Sequence, residues 1–287
     1  MAFENLLDHA VVSRSAILRK GLTFAQEPMA LLKRLATPPS AYHARPPVFA
    51  NSVPKSGTHL LLQITRALPC SRYLGRFIAT CPSLTLRERS PVALSRRIAK
   101  VLPGETLGAH LYYSAEVAEA MSRLGALHLF IYRDPRDVIT SETFYLAQMN
   151  RWHRMHKYFK KLPDNAARLA LSLDGLDERY PEANARLLPY AGWIRAPGVV
   201  PIRYEDLTGE CQAKEIERIV EAWRVQGGRT DSIDDLVARL IAAIDPERSH
   251  TFREGGTGKW RRRLTESEAE ALTSRLRPSL EAFGYAK

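Results

Sequence analysis

The chain is poor in cysteine, in acidic residues relative to basic ones and in long apolar runs, and each shortage excludes something. Its three cysteines, Cys70, Cys81 and Cys211, are odd in number and carry no metal-ligand spacing. That speaks against a disulfide framework or a zinc site and for a reducing compartment. No apolar run approaches the roughly 18–20 residues of a membrane span. The opening MAFENLLDHAVVSRS has neither the basic start nor the apolar core of a secretion signal, so a cytoplasmic location is expected. Acidic residues number 31 against 42 Lys and Arg, a formal net charge of +11 with a pI near 9.7. That imbalance points to anionic partners: a nucleotide-like ligand, nucleic acid or an anionic membrane surface. No acidic cluster suited to a metal is evident, and none is expected to be bound.

What remains is ordinary for a globular protein. The 287 residues are 45% hydrophobic and 25% charged, in keeping with one α/β domain carrying extra helices. Residues 1–36 read as helix, because LLDHAVVSRSAIL and MALLKRLA repeat apolar residues every three or four positions around Pro28. The Pro-rich TPPSAYHARPP (37–47) reads as a linker. The expected division is therefore a helical extension and linker over 1–45 and a main domain over 46–287. Strands are expected at VFANS (48–52), TLGAHL (106–111), LHLFIYR (127–133) and GVVPIRY (198–204), with helices beginning near Thr58, Ala115, Arg136 and Gln212. Alternating strands and helices predict a mostly parallel sheet with helices on both faces, a three-layer α/β/α fold. DSIDDLVARLIAAI (231–244) is expected as an amphipathic helix, and TESEAEALTSRLRPSLEAFGY (265–285) as a closing helix opened by a Thr265–Glu268 capping box.

Four pieces carry chemistry. Pro54-Lys55-Ser56-Gly57-Thr58 sits between a strand and a helix, where unpaired N–H groups and the macrodipole favour an anion. Its lysine precedes the glycine, the reverse of a Walker A loop, so ATP hydrolysis is disfavoured. In IYRDPRDVITSETFY (131–145), Arg133 ends a strand where open α/β sheets bind ligands. Ser141 follows eight residues later, and Asp137 is placed to cap or pair. VPIRYEDLTGE (200–210) ends a strand in the Tyr204-Glu205-Asp206 corner. HTFREGGTGKWRRRLT (250–265) is a basic, glycine-rich loop. Singly, each also has a bland reading: a solvated lysine, an Arg–Asp surface pair, a charged face.

In this order and spacing the four pieces resemble the sulfotransferases that use 3′-phosphoadenosine 5′-phosphosulfate (PAPS), from about Pro46 to the C-terminus. The resemblance implies that Lys55, Ser56, Gly57 and Thr58 form a P-loop-like phosphosulfate-binding loop, with His59 beside it. Arg133 and Ser141 would hold the 3′-phosphate. Tyr204 with its YED corner, and Arg253, Glu254 and Gly255 of the closing loop with Gly258 and Trp260, would complete the nucleotide site. PAPS would be the co-substrate and 3′-phosphoadenosine 5′-phosphate (PAP) the product. The family's strand-end histidine corresponds to His110 in LGAHLYY, which becomes the expected general base, with Lys55 as catalytic cation and His59 a second candidate for the base. Three departures stand out: Gly108-Ala109 replaces the family's Lys-Thr, Leu60 stands where many relatives place a tryptophan under the adenine, and Glu254 replaces a basic residue.

The expected reaction transfers a sulfuryl group to a hydroxyl of a small acceptor. Phe77, Ile78, Tyr112, Phe144, Tyr145, Trp152 and Phe159 give the expected acceptor loops, 72–105 and 145–190, an apolar character that favours a lipid, phenol or other hydrophobic alcohol. Competing readings are a small-molecule kinase and a nucleic-acid-binding protein, the latter prompted by RWHRMHKYFKK (151–161); tight motif spacing favours the enzyme, with no nucleic-acid partner. The cationic, apolar N-terminal helices are also candidates for peripheral membrane contact.

Overall fold

The computed structural model describes residues 46–245 and 256–286, together with Leu32 and Leu35, which are helical. The remainder of the expected N-terminal helices, and Arg253, Glu254 and Gly255, lie outside the described residues. Five strands, β1 (Val48–Ser52), β2 (Arg72–Ala79), β3 (Glu105–His110), β4 (Leu127–Tyr132) and β5 (Val199–Arg203), form one sheet in the order β2-β3-β1-β4-β5. Every pairing is parallel.

Strand periodicity divides the core in two. Val48, Ala50, Leu129, Ile131 and Ile202 face Leu61 and Ile64 of α1 (Thr58–Ala67) on one side, with Ile216, Ile219, Val220 and Leu240. Phe49, Leu107, Ala109, Phe130 and Tyr132 point the other way, into a core with Leu94, Ile98, Val117, Met121 and Trp193. A sheet with near-continuous apolar strands must be covered on both faces, and here it is. α2 (Pro91–Ile98), α3 (Ala115–Arg123) and α4 (Pro135–Phe144) help to build the second face. Beyond α4 a π-helical turn (Tyr145–Met149) leads to a smaller cluster of Leu146, Met155, Phe159 and Tyr180.

Two expectations are corrected. Residues 72–79, assigned to an acceptor loop, are the edge strand β2. Gly75, at φ +77°, and a register shift between Tyr73 and Phe77 interrupt the alternation that would have marked it. The closing helix is two, Glu266–Arg275 and Arg277–Phe283, because Pro278 at the start of the second cannot donate to the first. The Thr265–Glu268 capping box forms as expected.

The chain runs from β1 out to the β2 edge, returns through β3, and crosses to β4 and β5. Ser52, His110, Arg133 and Tyr204 thus stand at or just beyond the carboxyl ends of β1, β3, β4 and β5, where strand order reverses and open α/β sheets form a crevice. Among the described residues, no helix is long and apolar enough to cross a membrane.

Candidate active site

The loop after β1 is built around two left-handed residues. Lys55 has φ +69° and Gly57 has φ +102°. Gly57 opens α1 with no side chain accepting from the first N–H groups, which leaves those donors directed at the crevice. Ser56 is fully buried, and its hydroxyl has no hydrogen-bond partner. Buried polar atoms are nearly always paired, so an orphan hydroxyl in a turn at a helix N-terminus fits an acceptor such as a phosphate oxygen. His59 lies in the first turn of α1, half-buried.

The Lys55 ammonium sits over the Tyr145 ring, 3.9 Å from its centroid. Burial lowers its pKa to about 8; Glu142 opposes that shift and Arg133 adds to it. Glu142 itself accepts from Ser172 Oγ (2.7 Å), Tyr180 Oη (3.0 Å) and Arg186 Nη2 (2.7 Å). Burial pushes its carboxyl up, but the Arg186 charge and these hydrogen bonds outweigh burial and hold it below its ordinary value. An anionic glutamate behind the lysine keeps the cation charged in a dry site. Neither Glu142 nor its partners stood out in the sequence, since Glu142, Ser172 and Arg186 come from separate helices and Tyr180 from the loop between two of them, and they meet only through packing.

The second piece is locked by Asp137. Arg133 Nη2 pairs with Asp137 Oδ2 at 3.1 Å and donates to the Gly256 carbonyl at 3.0 Å, while its plane stacks 4.4 Å from the Tyr204 ring centroid. Its Nε is buried without a partner, a second orphan donor in the same crevice. Asp137 also accepts from the backbone N–H groups of Gly258 (2.9 Å) and Trp260 (3.1 Å). The glycine loop is therefore fastened to α4 by one carboxylate. Asp134 caps α4 through the Arg136 N–H (2.9 Å) and holds the Arg136 guanidinium (2.7 Å), which in turn stacks on Trp260. Ser141, half-buried two turns along α4, makes no side-chain hydrogen bond among the described residues. Glu205 of the YED corner accepts from the Asp134 N–H (3.1 Å) and from Tyr285 Oη (2.5 Å).

Tyr204 joins the two pieces. Its ring lies under Arg133 and against Gly57, where an added β-carbon would be 2.7 Å from Cδ2.

His110 ends β3, half-buried. Its Nδ1 lies 2.8 Å from the Ser52 carbonyl oxygen. A carbonyl only accepts, so Nδ1 carries the proton and Nε2 is left as the basic nitrogen. Burial, with a smaller contribution from Lys55, lowers its pKa to about 4 against the opposing bond to Ser52. The edge of the ring packs on Phe77, with centroids 4.9 Å apart. The missing family lysine now has a physical correlate. A β-carbon at Gly108 would sit 2.6 Å from Phe77 Cδ2, so the aromatic ring fills the space that a side chain there would need.

The expected acceptor residues divide. Ile78 and Phe159 are core residues, and Tyr112 packs on Tyr190 at 4.8 Å. Phe77, 40% exposed, Tyr145 under Lys55, and the exposed Trp152 stay available to a ligand. Leu60 packs on the α1-side core. Among the described residues no group of three or more His, Cys, Asp or Glu is gathered for a metal.

Comparison with known proteins bears on the fold and the family. The sulfotransferase domain profile matches residues 45–284. Among solved structures, a mouse sulfotransferase, SULT7A1, complexed with PAP, superposes with TM-score 0.57 at 17% identity, covering 85% of this chain and 90% of that one. Retinol dehydratase with androsterone and inactive cofactor PAP gives TM-score 0.58 at 16% identity, covering 82% and 80%. Retinol dehydratase with retinol and PAP gives 0.56 at 17%, covering 84% of each chain. No curated protein sequence matches. The profile spans most of the chain, from the strand that opens the sheet to its last helix, and on that ground the chain belongs to the sulfotransferase domain family.

Proposed function

We infer that the chain moves the sulfuryl group of PAPS to a hydroxyl of a small, hydrophobic acceptor, with residues 46–287 as the catalytic unit. The observation that carries the reading is the pair of orphan donors: Ser56 Oγ and Arg133 Nε are both buried, both unpartnered, and stand on the two elements expected to hold the two phosphate ends of the nucleotide. PAPS supplies a sulfuryl group already joined to a phosphate leaving group. Lys55 neutralises charge on that leaving group, and the α1 N–H groups with Ser56 and Thr58 hold the anion in line. Arg133, stacked on Tyr204, and Ser141 hold the 3′-phosphate end, with the closing loop fastened to Asp137. His110 accepts the acceptor's proton at Nε2. The half-exposed Phe77 at the His110 edge supports an apolar acceptor. The three thiols remain free, in keeping with a cytoplasmic setting.

Two measurements test the reading. Ligand that binds only the folded state raises stability by RT ln(1 + [L]/Kd), so PAP is expected to raise the melting temperature well above the effect of ATP. Mass spectrometry of a metabolite extract incubated with protein and PAPS is expected to show products heavier by a sulfuryl group. Equal stabilisation by ATP and PAP, with no sulfated product, would overturn the assignment.

A further inference from the structure

One buried side chain touches both the expected base and the expected phosphosulfate loop. Ser52 ends β1 and is fully buried. Its Oγ lies 2.8 Å from Thr58 Oγ1, 3.1 Å from His110 Nδ1 and 3.3 Å from the Ala109 carbonyl oxygen. Because the Ser52 carbonyl already fixes the proton on His110 Nδ1, the Ser52 hydroxyl cannot donate there. Its single proton has two destinations, the Ala109 carbonyl or Thr58 Oγ1. When it points to Ala109, Thr58 donates into Ser52 Oγ and takes up one of its lone pairs. An anion in the loop is acceptor-only, so the Thr58 proton turns to the anion. Thr58 then accepts from Ser52, and the hydrogen bonds from His110 Nδ1–H through Ser52 Oγ and Thr58 to the anion run in one direction, each polarising the next. Two hydroxyls rotate and no proton changes owner.

We propose that Ser52 is a positioning residue that couples occupancy of the phosphosulfate loop to the basicity of His110. Resting on the sulfotransferase reading above, it explains how so weak a base can serve. A ring with pKa about 4 is neutral at pH 7 but has little driving force to take a proton. Polarised toward the anion, Ser52 Oγ becomes a stronger second acceptor for Nδ1–H, which stabilises the imidazolium and strengthens Nε2 when the co-substrate is in place. The groups around the ring do not supply this by themselves. Lys55, the charged group acting on it, disfavours the imidazolium, and Phe77 from β2 is uncharged, as are Ser52 and Thr58.

The test is an NMR titration of His110 in the full chain, with and without saturating PAP, in wild type, Ser52→Ala, Ser52→Cys and Ser52→Thr. The charge of PAP raises the His110 pKa in all four. The hydroxyl adds to that rise in wild type and Ser52→Thr, so the PAP-induced rise in Ser52→Ala and Ser52→Cys is expected to be smaller by at least about half a unit, a roughly threefold change in the ionisation constant. Ser52→Cys keeps the side-chain volume and guards against misfolding of the alanine variant. An equal rise in all variants that bind PAP overturns the coupling and leaves the sulfotransferase reading standing. Failure of PAP to bind wild type, visible in the same samples, overturns both.

Discussion

The Tyr204 ring occupies the space that a side chain at Gly57 would need: a β-carbon there would lie 2.7 Å from Tyr204 Cδ2. Through that contact the anion loop leans on the ring that also supports Arg133, 4.4 Å from its centroid. Gly57→Ala is therefore expected to fail twice, by collision and by the cost of φ +102° for a residue with a β-carbon. The variant should lose about 1–3 kcal/mol of stability and most of its PAP-induced thermal shift. Unchanged stabilisation by PAP would mean that the loop does not contact the nucleotide.

Arg133→Ala is expected to raise KM for PAPS more than it lowers kcat. The arginine is assigned to a phosphate that does not react, so its contribution is nearly the same in ground and transition states. Loss of a charge-assisted contact costs on the order of 1.5–3 kcal/mol. Calorimetry with PAP measures it; normal affinity would reduce Arg133 to the partner of Asp137.

His110→Ala is expected to lower kcat by roughly 10²–10⁴-fold, the range for loss of a general base, with PAP affinity near normal. His59→Ala should do the reverse, because His59 stands beside the anion loop. Single-turnover sulfation and PAP binding on both variants decide between them. Near-normal turnover in His110→Ala would move the base elsewhere.

Gly108→Ala tests the accommodation between the missing family lysine and Phe77. The new methyl displaces the Phe77 ring, which is 40% exposed and can swing outward, so the fold is expected to survive. His110 loses its edge contact, and kcat should fall about 2–10-fold, the equivalent of the 0.5–1.5 kcal/mol typical of an aromatic pair. PAP affinity should not change. A matching loss of PAP binding would show that the substitution disturbs the whole sheet end instead.

A fifth expectation concerns pH. His128 is buried against Trp193, with ring centroids 4.4 Å apart, and accepts at Nε2 from Asn51 Nδ2 at 3.1 Å. Asn51 Oδ1 is committed to the Ser52 and Leu111 N–H groups, which fixes the direction of that bond. Burial holds the His128 pKa down at about 3. The unfolded chain, with a pKa near 6.5, binds the proton first on acidification. Stability from this group is thus complete above about pH 6.5 and is lost as pH falls toward 3, by about 2 kcal/mol at pH 5. Denaturant midpoints at pH 7 and pH 5 should differ less in His128→Gln, which keeps an acceptor for Asn51 but does not titrate, than in wild type. Parallel losses would show that His128 is not held neutral.

Four of the five strands, the starts of four helices and the Thr265 capping box were legible in the sequence, because each depends on residues adjacent along the chain. Apolar runs such as LHLFIY need only neighbours to declare themselves. The turn at 54–58 and the strand ends before Arg133 and Tyr204 were legible for the same reason, each following an apolar strand directly in the chain. The tertiary structure alone decided the rest. β2 is a strand because β3 offers it an edge, although Gly75 and the bulge hide its period. Glu142 supports Lys55 because α4 packs beside helices bearing Ser172 and Arg186. Ser52 meets both Thr58 and His110 because β1 lies between α1 and β3, a proximity that spans 58 residues of chain. Local sequence determines where strands end and turns begin; packing determines which buried side chains face one another, because those side chains come from segments far apart along the chain.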